Sequence, residues 1–146
     1  MMKLSVGYPK REQEMKMAEQ YLKGITPDTV KNVCCARDIL QIKEMVAAIT
    51  VSSQVLSFVE DLVELTRSEE RFVLGVSPRA MLALVRASQA RAFLQGRDYV
   101  KPDDVKQIAS DVLLHRLSLT SEARIRKESV EKILKSLILK VKVPVV

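Results

Sequence analysis

The chain has 146 residues, with 24 Lys and Arg against 18 Asp and Glu, one His, and a formal net charge of +6. It is 47% hydrophobic and 29% charged, which excludes a disordered or fibrous chain and fits one globular domain better than two. Its apolar runs are short and broken by charge, so no membrane span fits, and no signal peptide opens the chain; the sequence predicts a cytoplasmic protein.

Lys3 to Val6 alternate apolar and polar residues and predict a short strand. Pro9 then suits a first helical position, and a charged helix from Lys10 to Lys23 carries a narrow stripe of Met15, Ala18, Tyr21 and Leu22. Gly24 stops it, and a connector beginning at Thr26-Pro27-Asp28 runs to Cys35. Ile39, Ile42, Val46 and Ile49 recur at helical spacing and predict a helix over 38–49. Ser52 caps the next helix, 53–67, whose inner face is Val55, Phe58, Val59 and Leu62. Residues 68–76 read as a loop. Ser77-Pro78 is the clearest start in the chain, opening a helix that runs to Gln95 and stops at Gly96, with Ala83, Ala87, Ala90 and Leu94 along one side. Lys101-Pro102-Asp103-Asp104 opens another helix, with acids at the positive end of the dipole and Val105, Ile108, Ala109 and Val112 inward. A polar linker, 118–127, precedes a last helix built on Val130, Ile133, Leu134 and Leu137, and Val141 to Val143 alternate like a short strand. Four marked helices between 38 and 114 predict an all-α fold, a small helical bundle with short extended segments at both ends.

The residue inventory excludes several chemistries. Gly7, Gly24, Gly75 and Gly96 have no P-loop or dinucleotide-binding spacing, and no G-x-S-x-G occurs. One His and the adjacent Cys34 and Cys35 cannot build a conventional zinc site, so no metal site is expected. Redox or soft-metal sensing by the cysteine pair is a minor reading. His115, near a helix end, reads as a dipole or packing partner before it reads as an acid–base group. No nucleophile–base pair stands out, so a self-sufficient small enzyme is not expected.

Charge is uneven. Residues 116–146 carry eight basic groups against Glu122, Glu128 and Glu131, whereas 1–115 are nearly neutral. A basic helical module binding nucleic acid or an acidic protein is therefore the alternative reading. Three Phe, three Tyr and no Trp argue against a single-strand stacking platform, so nucleic acid is the weaker half of that alternative.

Arg79 breaks a local rule. Ser77 caps, Pro78 is the first helical residue and Arg79 the second, where a cation opposes the dipole by a few tenths of a kcal/mol, about 0.3–1 at most. Free N–H groups and a guanidinium at one helix end suit an anion, phosphate above all. The competing reading is a surface Arg relieved by Glu69 or Glu70.

The string Gly75-Val76-Ser77-Pro78-Arg79-Ala80, then Gly96-Arg97-Asp98-Tyr99-Val100-Lys101-Pro102-Asp103-Asp104-Val105, then Val112-Leu113-Leu114-His115-Arg116-Leu117, resembles the C-terminal lid of MoxR-family AAA+ ATPases. Val6-Gly7-Tyr8-Pro9 is similar to the exit from that family's ATPase core, and Asp61 to Arg67 to its second lid helix. Ile133-Leu134 and the closing Val143-Pro144-Val145 are in the same style. The resemblance implies a remnant of the last core strand at 1–8, a helical lid at 9–117 and a basic C-terminal helix and tail at 118–146. It implies that Arg79 is the sensor-2 arginine, reaching the γ-phosphate of ATP held by a core domain, with Ser77 and Pro78 beside it. Walker A, Walker B, sensor 1 and the arginine finger lie outside this sequence, so ATP, Mg and hydrolysis are implied for a protein that includes them, and neither catalytic residues nor a bound cofactor for this chain alone. The implied partners are its own ATPase core, neighbouring subunits of a ring and a client protein. Arg124, Arg126 and Lys127 depart from a family tail that is often acidic.

Overall fold

A computed structural model describes residues 1–25 and 31–144. The connector's start at Thr26-Pro27-Asp28 and the final Val145 lie outside the described residues. The helices are α1 (Arg11–Leu22), α2 (Ala36–Ala47), α3 (Ser53–Arg67), α4 (Pro78–Leu94), α5 (Pro102–Leu113), α6 (Ser121–Ile125) and α7 (Val130–Lys140), with a 3-10 turn at Leu114–Arg116 after α5. Two short strands, β1 (Phe72–Leu74) and β2 (Ser118–Leu119), pair antiparallel, Phe72 opposite Leu119 and Leu74 opposite Ser118. Among the described residues the fold is all-α with this one small ribbon.

The chain divides into two compact units, Leu4–Ile42 and the remainder, Met1–Lys3 with Lys43–Val146. In the smaller unit α1 buries no residue; Met15, Tyr21 and Leu22 are all exposed. Its narrow stripe is too thin to close a core by itself.

The larger unit holds the core. Phe58, Leu62, Leu84, Leu113 and Leu134 are its largest fully buried side chains, drawn from α3, α4, α5 and α7. The predicted inner face of α3 is buried throughout. α4 packs most extensively on α5, and the small Ala80, Ala83, Ala87 and Ala92 of α4 are buried, which lets neighbouring backbones approach closely. Truncating Leu84 or Leu62 to Ala would cost about 2–5 kcal/mol through lost transfer energy and the cavity left behind. α7 packs on α3 and α5 through Ile133, Leu134, Leu137 and Ile138, so packing does not divide at residue 117.

Several expectations need correction. Residues 1–10 form no strand: Lys3 donates its N–H to the Asp111 carbonyl at 2.8 Å, while Leu4, Val6 and Tyr8 stand exposed. A strand exists only through pairing, and no described residue forms a ladder with 3–6. Val141 to Val143 form no strand either; Val141 is the buried C-cap residue of α7. The loop at 68–76 contains β1, and the linker at 118–127 contains β2 and α6. Leu94, placed with the inward alanines by spacing, is exposed, as are Ile39 and Ile42.

Candidate functional site

The N-terminus of α4 is built by its neighbour α3. Ser77 is extended (φ −74°, ψ 158°) and its Oγ accepts the N–H of Ala80 at 3.3 Å, with Pro78 at the first helical position. Just upstream, both backbone polar groups of Val76 are held by the last turn of α3. Its N–H donates to Thr66 Oγ1 at 3.0 Å, and its carbonyl accepts from Arg67 Nε at 3.1 Å. Thr66 in turn donates to the Val63 carbonyl at 2.6 Å, and Arg67 pairs with Glu64 at 2.6 Å. Gly75 makes this approach possible: a Cβ there would lie 2.5 Å from the Cα of Arg67.

Ser77, Pro78 and Arg79 are all exposed, and Arg79 makes no ion pair with a described residue. Neither carboxylate of the competing reading, Glu69 or Glu70, forms an ion pair with it. Glu69 is taken by Arg71, through Nε at 2.7 Å and Nη2 at 2.8 Å, and Arg71 also reaches Glu128 at 3.2 Å. The hydrogen bond from Arg71 holds the Glu69 carboxyl below its ordinary pKa, against a smaller opposing effect of burial. Arg79 therefore has no described carboxylate to compensate its charge at the positive end of a 17-residue helix. Pro78 has no N–H, and those of Ala80 and Met81 bond to Ser77, so this helix start offers an anion the Arg79 N–H and its exposed guanidinium.

Other singled-out residues take different roles. Arg91 is half-buried and reaches α5: it hydrogen-bonds Gln107 and lies 3.6 Å from Asp104. Arg86 is exposed. His115 is exposed on the 3-10 turn, and desolvation first, then the charge of Arg116, pushes its pKa down. Cys34 and Cys35 are exposed free thiols, and the Cys35 N–H donates to Asp38 at 2.7 Å as the entry to α2. Among the described residues no group of three or more His, Cys, Asp or Glu is placed to hold a metal. In the basic tail, Arg126 and Lys135 pair with Glu122 and Glu131, each at 2.6 Å. An open, largely apolar groove of about 480 Å³ lies at the far end of α4, against Met45, Ile49, Phe93 and the Gly96–Asp98 turn. The helical rise puts it about 20 Å from Arg79, outside this site.

Sequence reasoning singled out Arg79 from its helical position but not Thr66 and Arg67, which hold Val76 just before its cap. The signal was present: the Asp61–Arg67 and Gly75–Arg79 strings both resembled one family, and they are in contact.

The AAA lid domain family matches residues 64–137, and the chain belongs to that family. Its relatives are of the MoxR type: it is 36% identical over 130 residues to Chaperone MoxR1 of Mycobacterium tuberculosis, covering 83% of this chain and 34% of that protein. It is 34% identical over 143 residues to YeaC of Bacillus subtilis, an uncharacterized protein, covering 98% of this chain and 45% of YeaC. The crystal structure of a presumed ATPase from Cytophaga hutchinsonii superposes with a TM-score of 0.89 at 28% identity, over 99% of this chain and 47% of that one. The chain thus spans less than half the length of each of these relatives.

Proposed function

We propose that this chain is the nucleotide-responsive lid of a MoxR-type AAA+ ATPase. In this reading a core domain binds ATP and Mg and hydrolyses ATP, and the lid transmits the nucleotide state to neighbouring subunits of a ring. The work done is remodelling or assembly of a client protein in the cytoplasm. The observation that carries the reading is Arg79: exposed, without a carboxylate partner among the described residues, and aimed by a capped helix start.

The residues fit a phosphate contact. Bound ATP would supply the terminal phosphate whose charge Arg79 offsets, with Ser77 fixing the helix start and Pro78 limiting the backbone freedom of the turn. Arg79 is long and reaches out from the lid, so its contact depends on lid angle. Loss of the terminal phosphate removes the group that holds the guanidinium and so biases the lid toward another angle.

The test is Arg79→Ala in an ATPase that carries both core and lid. Turnover should fall at least about tenfold, since removing one aimed donor from developing charge costs roughly a hundredfold or more elsewhere. Circular dichroism should be unchanged. Unaltered turnover in a correctly folded variant removes Arg79 from the mechanism and this reading with it.

A further inference from the structure

We infer that Thr66 is a positioning residue for Arg79, acting through the backbone of Val76. The inference rests on the reading of Arg79 as a phosphate contact and adds what aims it.

Thr66 is fully buried, and its hydroxyl has two partners: it donates to the Val63 carbonyl at 2.6 Å and accepts the Val76 N–H at 3.0 Å. The first bond fixes the hydroxyl hydrogen on its own helix. That leaves the oxygen lone pairs pointing at the chain that arrives from β1. Val76 is itself buried, so its N–H has no water to turn to if the hydroxyl is lost.

The link from Val76 to Arg79 is stiff. Ser77 is held by its own cap bond, and the Pro78 ring locks φ near −65°. Arg79 is already inside the helix. Few soft dihedrals separate the Thr66 hydroxyl from the Arg79 Cα, so a shift at Val76 is carried to the guanidinium instead of being absorbed between them. Arg67 holds the Val76 carbonyl from the same helical turn, and without a Cβ at Gly75 the two backbones are in direct contact. The last turn of α3 is therefore the fulcrum on which the start of α4 is set. Misplacing a group by about 1 Å is enough to cost up to a hundredfold in rate, so such a support has catalytic weight without touching substrate.

The test is a double-mutant cycle in an ATPase carrying core and lid, with MgATP as the probe. Thr66→Val keeps the shape and removes the hydroxyl; Thr66→Ser keeps the hydroxyl and removes a methyl. Thr66→Val should lower kcat about tenfold with little change in KM, and Thr66→Ser should restore it to within about twofold. In the Arg79→Ala background, Thr66→Val should cause no further loss. An equal loss in both backgrounds means that Thr66 acts through general stability, and the inference is wrong. Full activity of Thr66→Val beside a damaged Arg79→Ala also overturns it while leaving the reading of Arg79 intact. If Arg79→Ala alone is silent, the underlying reading has failed. Should Thr66→Val not fold, Arg67→Met, on a partly exposed side chain, removes the bond to the Val76 carbonyl and is put through the same cycle, with the same outcomes deciding.

Discussion

Arg97 and Asp104 clasp each other across the turn between α4 and α5, with Nη2–Oδ1 at 2.6 Å and Nη1–Oδ2 at 2.8 Å. Asp104 is 4% exposed. The same carboxylate accepts the Lys101 N–H at 2.9 Å, which starts α5, and lies near Arg91 of α4. Burial raises its pKa, but the hydrogen bonds from Arg97 and Lys101 and the charges of Arg97 and Arg91 outweigh that, and it lies below 3.8. The G-R-D-Y-V-K-P-D-D-V string is in this respect structural. It also ties the chain before α3 in place, since Thr50 donates to the Asp98 carbonyl at 2.8 Å and accepts from Val100 at 3.0 Å.

Asp104→Asn should destabilise the fold by about 2–4 kcal/mol near neutral pH, because it leaves Arg97 facing a neutral group in a largely dry site. The folded carboxyl has the lower pKa, so the unfolded chain takes up the proton first as pH falls. The carboxylate's contribution is therefore complete above about pH 5 and drains away as pH drops through the folded value. Urea unfolding at about pH 6 and about pH 3 checks this. The gap between wild type and Asp104→Asn should narrow at the lower pH; a gap of constant size would show that the charge is not what matters.

Gly75→Ala should be costly for a reason that has nothing to do with glycine's torsional freedom. The added Cβ meets the Arg67 Cα at 2.5 Å and its backbone N at 2.6 Å, and backbone cannot rotate aside as a side chain does. Separating α3 from the start of α4 should cost about 1–3 kcal/mol. For a unit of this size that is a fall in Tm of roughly 5–15 °C, read by thermal denaturation. A Tm equal to wild type would mean that the contact is looser than the geometry describes.

What the sequence made legible was mostly local. Ser52 and Ser77 cap the helices they were expected to cap, and Gly24 and Gly96 end theirs at φ +72° and +69°. Each signal sits within a few residues of what it controls. The faces of helices were less legible, because spacing shows that a stripe is apolar but not whether a partner covers it. Val46 and Ile49 are buried while Ile39 and Ile42, on the same periodic series, are not. β1 and β2 were illegible for another reason: strands this short have no period, and their pairing joins residues more than forty positions apart. At the candidate site, Arg79 was visible as a cation in the wrong place on the dipole. Its support was not, since a Thr on an apolar helix carries no mark of the backbone it will meet.

The turn after α6 shows how one residue hides an element. Lys127 donates to the Arg124 carbonyl and Glu128 to the Ala123 carbonyl, both at 3.0 Å, the bond pattern that closes a helix with a left-handed residue. Lys127 fills that position at φ +56°, as Gly24 and Gly96 do after α1 and α4. With no glycine to mark it, the segment read as linker. The strained turn is kept because it brings Glu128 to Arg71, which ties the turn to the residue before β1. A left-handed conformation costs a non-glycine residue roughly 1–2 kcal/mol, part of which glycine forfeits through its freer unfolded chain. Lys127→Gly should therefore stabilise the fold by about 0.5–1 kcal/mol, raising the urea midpoint with an unchanged m-value. Lys127→Val, branched at Cβ and ill suited to positive φ, should lower it. If glycine and valine move the midpoint the same way, the charge of Lys127 and not its backbone controls the turn.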